Sequence, residues 1–245
     1  MRSTKIGLGF GLGIGSRNAA PASVLNRTTV ALSSFYQGSY GGVPWAGTAS
    51  AGTSGAKSLS ALGVAPAVGS ALGGFTPADL NGTTHALTDG TNTTDTYVSD
   101  TAARILLLVR PTVAPAPSGA AFTDPGLFTE SGGNFGLNYT SSGVGMYQAS
   151  TLRGTRPCSV NNWHLIDFSF DGVNMSLSVD GGTPITFATG TLGITASGLR
   201  IGANYDNTVR FTGQIMEVAT GLTALAGTTT AAWKAAVNAK YGLSL

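Results

Sequence analysis

The chain holds few side chains able to do chemistry, and their spacing limits what they can do. Glu130 and Glu217 are its only glutamates, and the aspartates do not gather into an acidic strand motif. Glycoside hydrolysis needs two carboxyl groups about 5–9.5 Å apart. The one pair that a strand would set on a single face, Asp167 and Asp171, is four residues apart, roughly 13 Å in an extended chain rising about 3.3 Å per residue. That is too far for the mechanism, and Asp171 falls in a turn. His164 stands beside Trp163 on an alternating segment and reads as a packed histidine with its ring nitrogens satisfied. His85 reads as an ordinary strand or loop residue. Cys158, the single cysteine, has no neighbour in sequence that would activate its thiol. It also excludes an intrachain disulfide framework and a multi-cysteine metal site. There is no P-loop pattern and no G-x-S-x-G elbow, and the G-x-G-x-x-G-like string inside 7–15 is low complexity without a βαβ unit. The expectation is a protein that is not an enzyme, with no catalytic residues. Binding is a different matter, since glycan sites need an aromatic platform with polar groups beside it. Tyr139, Tyr147 and Tyr205 are the candidates; the competing reading has these rings plugging the edges of a β-fold with their hydroxyls in water.

Composition narrows the elements that must carry these residues. Charged residues make up 10% of 245, against roughly 25% in an ordinary globular chain. Thirteen basic and eleven acidic residues leave a net charge of +2, too weak and too scattered for a nucleic-acid footprint. Hydrophobic residues at 42% supply a core and, with so little charge, argue against disorder. Thirty-six glycines with abundant Ser and Thr point to an all-β protein with many tight turns. A single sandwich of this length is ordinary. No apolar run approaches the roughly 20 residues needed to span a bilayer.

Periodicity then places the strands. RILLLVRP (104–111) is apolar on both faces and ends at Pro111, which marks a central strand buried on both sides. GLFTE, NFGLNYT and GVGMYQAS, spread over 126–150, read as successive antiparallel strands with Gly turns. In 163–187, His164, Ile166, Phe168 and Phe170 alternate with Leu165, Asp167, Ser169 and Asp171. After Asp171-Gly172 the alternation resumes with Met175, Leu177 and Val179, giving a hairpin with one apolar face. Asp180-Gly181-Gly182 makes the next turn. ITFATG, LRIGAN (199–204) and FTGQIMEVATG (211–221) add further strands. At the C-terminus the period changes. Trp233, Ala236, Val237, Lys240 and Tyr241 follow helical spacing, with Thr230 as N-cap and Gly242 as terminator, so a short helix is expected over about 230–241.

The N-terminus has its own pattern. IGLGFGLGIG (6–15), after Arg2 and Lys5 and before Ala20-Pro21-Ala22, imitates a signal peptide, but five glycines in ten residues would weaken a helical segment. Read as a strand, it sets Ile6, Leu8, Phe10, Leu12 and Ile14 on one face and leaves the other bare. That suits either a first strand of the domain or an arm that adds to a neighbouring subunit. The expected organisation is an arm over 1–30 and a sandwich over 31–245, including a loop-rich approach over 31–70.

WHLIDFSFDGVNMSLSVDGG (163–182), LRIGAN (199–204) and FTGQIMEVA (211–219), in that order, resemble the laminin-G-like, concanavalin-A-like jelly-roll superfamily. GGFTPADLNGTTHAL (73–87) and ARILLLVRP (103–111) look like its first half, so the resemblance covers roughly 70–245. It implies an antiparallel jelly-roll β-sandwich. It also implies a Ca²⁺ at a sandwich rim, for which Asn204, Asp206 and Asn207 carry the hard oxygen donors, although Asx-rich loops are more often plain turns. The Gly-rich start, WAGTASAG (45–52) and the closing Tyr241-Gly242-Leu243 are similar to virion proteins of tailed bacteriophages. That resemblance implies a non-enzymatic structural protein on the capsid or tail surface, held to other virion proteins and to copies of itself through the arm. The alternative on the same fold is a carbohydrate-binding adhesin or receptor-binding module facing a host-surface glycan. A glycosidase is the third. No nucleic-acid or membrane partner is implied.

Overall fold

A computed structural model describes residues 34–37, 39–40, 59–88, 100–116, 123–194, 198–221 and 230–245. The ribbon residues Ile6, Leu8, Phe10, Leu12 and Ile14, with the rest of the expected arm, lie outside the described residues. In chain order the strands are β1 (Ser34–Gln37), β2 (Ser39–Tyr40), β3 (Ser60–Ala61), β4 (Ala67–Val68), β5 (Phe75–Thr76), β6 (Ala78–Asn81), β7 (Leu87–Thr88), β8 (Ala103–Pro111) and β9 (Gly126–Glu130). They continue with β10 (Phe135–Thr140), β11 (Gly143–Gln148), β12 (Thr151–Arg156), β13 (His164–Phe170), β14 (Asn174–Val179), β15 (Ile185–Ala188), β16 (Leu199–Ile201) and β17 (Thr212–Gly221). The helix α1 spans Thr230–Tyr241.

Fifteen of these strands form two antiparallel sheets. One runs β15-β14-β13-β8-β17-β6-β4, with β1 also on β17; the other runs β12-β11-β10-β9-β16-β7-β3; β2 and β5 pair in a separate two-stranded ribbon. The main core lies between them. Ile105, Leu107 and Val109 of β8, with Ile166, Phe168 and Phe170 of β13, meet Phe128, Phe135, Leu137, Val144 and Met146 of the opposite sheet. The Phe135 and Phe168 rings touch across the layers, 4.7 Å between centroids. Each such side chain contributes about 1.5–3 kcal/mol by leaving water.

The continuous apolar run of β8 is explained by a second layer. Leu106 and Leu108 point away from the main core and join Leu165, Met216 and Ala219 in a cluster closed by Trp233, Val237 and Tyr241 of α1. One strand thus serves two cores, so alternation disappears from its sequence. The expected all-β sandwich with one C-terminal helix is the fold observed. The hairpin of β13 and β14 pairs Ile166 with Val179 and Phe170 with Met175, as the alternation requires.

Polar links fasten α1 to its sheet. The Thr230 hydroxyl donates to Asp167, whose carboxylate also takes Arg104 Nε at 2.9 Å and Nη2 at 2.5 Å. Lys234 Nζ donates to the Asp180 carbonyl at 2.9 Å. Lys240 Nζ lies 2.5 Å from Glu217 Oε1 with both side chains buried, and the Tyr241 hydroxyl donates to the same oxygen. Burial, then the Glu217 charge, pushes the Tyr241 phenol far above its ordinary range.

Candidate functional site

The seven-stranded sheet has an outer face built by period-two alternation. Phe135, Leu137 and Tyr139 of β10 and Val144 and Met146 of β11 enter the core. The residues between them, Gly136, Asn138, Thr140, Gly145 and Tyr147, occupy the opposite face. A Cβ on Gly145 would meet Leu152, Thr140 and Tyr147 side chains, which confirms that these share one side. Thr129 lies across from Gly136 on one flank and Arg200 on the other. The face is polar and its bonds are specific. Asn138 Nδ2 donates to the Asp124 carbonyl at 2.9 Å. The Tyr147 hydroxyl donates to Asp124 Oδ2 at 2.5 Å. Burial first, and then that carboxylate, holds the Tyr147 phenol above its usual range.

A loop folds back over this face. At Gly202, in the left-handed region at φ 78°, the chain turns out of β16 and residues 203–208 cross β9. Thr129 Oγ1 donates to the Ala203 carbonyl at 2.8 Å. A Cβ on Gly126 would stand 2.0 Å from that carbonyl oxygen, and one on Gly133 would stand 2.9 Å from the Tyr205 ring. Only glycine lets the loop lie this close. Tyr205 is therefore laid, partly exposed, along the Gly133 turn, with Asp206 exposed next to it. Desolvation lowers the pKa of the Arg200 guanidinium, and the Asp206 charge opposes part of that shift. Arg200 Nη1 and Asn207 Oδ1 are buried without a hydrogen-bond partner. The loop brings an aromatic ring and a carboxylate together with the Arg200 guanidinium of β16, a set suited to hydroxyl-rich ligands.

The sequence candidates separate here. Tyr139 is 3% exposed. Its hydroxyl donates to the Cys158 carbonyl at 3.1 Å, and its ring meets Phe211 edge-on. Tyr147 is 2% exposed. Neither offers a ring face to a sugar, because the sandwich needs both as packing, which corrects the expectation for these two; Tyr205 alone of the three keeps exposure. The three residues of the calcium expectation, Asn204, Asp206 and Asn207, lie together in one hydrogen-bonded turn. Asn204 Oδ1 accepts from the Thr208 and Val209 amides at 2.9 and 3.0 Å, and Asp206 Oδ1 from the Thr208 amide and hydroxyl at 3.0 and 2.6 Å. Partial burial raises the Asp206 carboxyl, but these bonds outweigh it and hold the group below its ordinary value. Asn207, at φ 66°, completes the turn. Asn204 Oδ1 and Asp206 Oδ1 thus serve as acceptors for turn donors, the common role of an Asx-rich loop. Among the described residues, no group of three His, Cys, Asp or Glu is placed to hold a metal.

Three of the carboxylates considered for glycoside hydrolysis, Asp167, Glu217 and Asp171, are engaged elsewhere. Asp167 and Glu217 pair with Arg104 and Lys240. Asp171 caps its turn through the Val173 and Asn174 amides, which, Asn174 foremost, lower its pKa. His85 Nδ1 lies 3.1 Å from the Asp79 carbonyl. His164 is buried with both ring nitrogens in contact: Nδ1 is 2.6 Å from Asp180 Oδ2, and Nε2 is 3.0 Å from both the hydroxyl and the carbonyl of Ser159. Sequence reasoning found the packed histidine but not its partners, which lie five residues before and sixteen after it in no local motif. Burial pushes the Cys158 thiol up to about 12, the Asp180 charge adding to it.

No protein-family model matches the chain, and no curated protein matches it in sequence. Solved structures do. Domain 4 of AbnA, an extracellular arabinanase from Geobacillus stearothermophilus solved in complex with arabinotriose, is 15% identical with a TM-score of 0.56. The match covers 87% of this chain and 99% of that domain. A sialidase from Trypanosoma rangeli, in complex with sialic acid, is 14% identical at a TM-score of 0.50, over 85% of this chain and 33% of that one. A mutant of HCR/D is 9% identical at a TM-score of 0.58, over 86% of this chain and 52% of that one. At these identities the likeness is one of fold: a β-sandwich that stands alone in the first case and corresponds to a part of the chain in the other two.

Proposed function

We propose that the protein is a carbohydrate-binding β-sandwich module, and that it receives its saccharide at the 203–208 loop with the Tyr205 ring as platform. The observation that carries this is the partly exposed Tyr205 ring laid along the Gly133 turn, with the exposed Asp206 next to it in the chain. A pyranose or furanose face stacks on such a ring while charged groups take its hydroxyls. The similar arabinanase domain, solved with arabinotriose and matched over nearly its whole length, supports the same reading, as does the sialidase solved with sialic acid.

The test is calorimetry and a glycan array with the purified full chain, with arabino-oligosaccharides and sialosides as first probes. Tyr205→Ala abolishes binding, while Tyr139→Phe, which removes only a buried hydroxyl, leaves it unchanged. A silent array, or equal binding by the Tyr205 variant, overturns the proposal. The resemblance to tailed-phage virion proteins bears on where such a module would act, on a capsid or tail surface anchored through Ile6, Leu8, Phe10, Leu12 and Ile14. That part rests on the resemblance of short motifs and the alternation in 6–15 alone, and normal incorporation into particles of a chain lacking residues 1–15 would defeat it.

A further inference from the structure

The loop between β12 and β13 brings together three side chains that the sugar-binding reading does not use. Asp180 follows β14 in the left-handed region at φ 54°. Its amide donates to the Leu165 carbonyl at 2.8 Å, and its Oδ1 accepts from the Leu165 amide at 2.8 Å. Two backbone bonds therefore fix the carboxylate. Lys234 of α1 holds the Asp180 carbonyl from the other side. The fixed Oδ2 faces His164 Nδ1 at 2.6 Å. In the tautomer that donates Nδ1–H to this carboxylate, Nε2 is the basic nitrogen and accepts from the Ser159 hydroxyl; the contact of Nε2 to the Ser159 carbonyl needs a proton on Nε2 and belongs to the imidazolium. Nε2 lies 3.0 Å from Ser159 Oγ, and Ser159 is exposed while His164 is buried. Nucleophile, base and orienting acid thus stand in sequence at hydrogen-bond distances, which is the geometric signature of an activated serine.

We propose that Ser159, His164 and Asp180 form an acyl-transfer site for small, unhindered esters, independent of the saccharide surface. In the first step Ser159 Oγ attacks the ester carbonyl carbon while its proton passes to His164 Nε2. The C=O π pair moves to oxygen, giving a tetrahedral oxyanion and an imidazolium. The imidazolium donates to Asp180 from Nδ1 and faces the Ser159 carbonyl, 3.0 Å from Nε2. Asn162 Nδ2 donates to Ser159 Oγ at 3.0 Å in the resting site and, as that oxygen becomes part of the acyl bond, turns to the adjacent oxyanion as its donor. Collapse breaks the ester C–O bond, and the leaving alcohol takes the proton from Nε2. Water then repeats the sequence on the acyl-serine, releasing the acid and restoring the hydroxyl. Cys158, the adjacent thiol, is buried and does not compete.

The experiment uses the whole protein with p-nitrophenyl acetate and, separately, a fluorophosphonate probe, each followed by peptide mapping. The expected result is nitrophenol release and a covalent adduct on Ser159. Ser159→Ala removes the adduct and lowers the rate by about a hundredfold or more. That variant deletes an exposed hydroxyl and leaves the carbonyl contact to His164, so it loses only two hydrogen bonds and stays folded, which its unfolding curve checks. Asn162→Ala slows acylation by about 10²–10³, the usual effect of losing one oxyanion donor. Inertness toward both probes, adducts confined to lysines or Cys158, or an unchanged rate in Ser159→Ala overturns the proposal.

Discussion

Replacing Lys240 by methionine isolates the most deeply buried ionic contact among the described residues that fasten the helix. Lys240 Nζ sits 2.5 Å from Glu217 Oε1, with side chains only 4% and 3% exposed. The ammonium also lies over the Phe75 and Tyr241 rings, 4.9 and 4.8 Å from their centroids. Methionine keeps the apolar stem but leaves the Glu217 carboxylate buried with its cation gone. Removing one partner of such a pair costs about 3–5 kcal/mol. For a chain of this size each kcal/mol moves the unfolding midpoint by roughly 2–4 °C, so the fall is roughly 6–20 °C. The companion variant, Lys240→Met with Glu217→Leu, removes both charges. It restores most of the loss, because a packed apolar pair is often as stable as a buried ion pair. Urea and thermal unfolding of parent, both single variants and the double variant close a cycle with a coupling energy of about 3 kcal/mol in magnitude, at the upper end for contacting residues. A cost under about 1 kcal/mol for Lys240→Met, the range of exposed pairs, or a double variant that costs the sum of the singles would show that the pair is not coupled as its burial implies.

Two further outcomes follow from the same geometry. Gly126→Ala forces a Cβ to within 2.0 Å of the Ala203 carbonyl; it costs about 1–3 kcal/mol by overpacking and lifts the 203–208 loop, so urea unfolding shifts and saccharide affinity falls together. Cys158 supplies a pH prediction, since its thiol is raised from 9.0 to about 12 in the fold. The unfolded chain loses that proton first, so the stability from this group is whole below pH 9 and declines by about 1.4 kcal/mol per pH unit as the pH rises toward 12. Cys158→Ala flattens the measured alkaline slope by that amount, and an unchanged slope refutes the assignment.

Local periodicity made much of the fold legible. The alternation in 164–179 and the helical spacing from Trp233 to Tyr241 are direct consequences of burying one face, and both elements form where the pattern places them. The two-sided run of β8 likewise required cover on both sides, although which element supplied the second cover, α1, is a matter of chain topology. The site was legible in part. Tyr205 falls in an Asx-rich turn and keeps its exposure. Tyr139 and Tyr147 look equivalent to it in sequence, because alternation says which face a side chain takes and not what lies over that face.

The sequence alone determined the strand and helix periods, the poverty of charge and the absence of a disulfide framework or multi-cysteine site, since these depend on residue type and near-neighbour spacing. The tertiary structure decided the rest. Asp180 reaches His164 because a hairpin closes, the 203–208 loop crosses β9 because Gly126 and Gly133 present no side chain, and Lys240 finds Glu217 because the helix docks on the far face of the sheet. Each is a contact between residues distant in the chain, and such contacts are set by packing across layers, which no local period encodes.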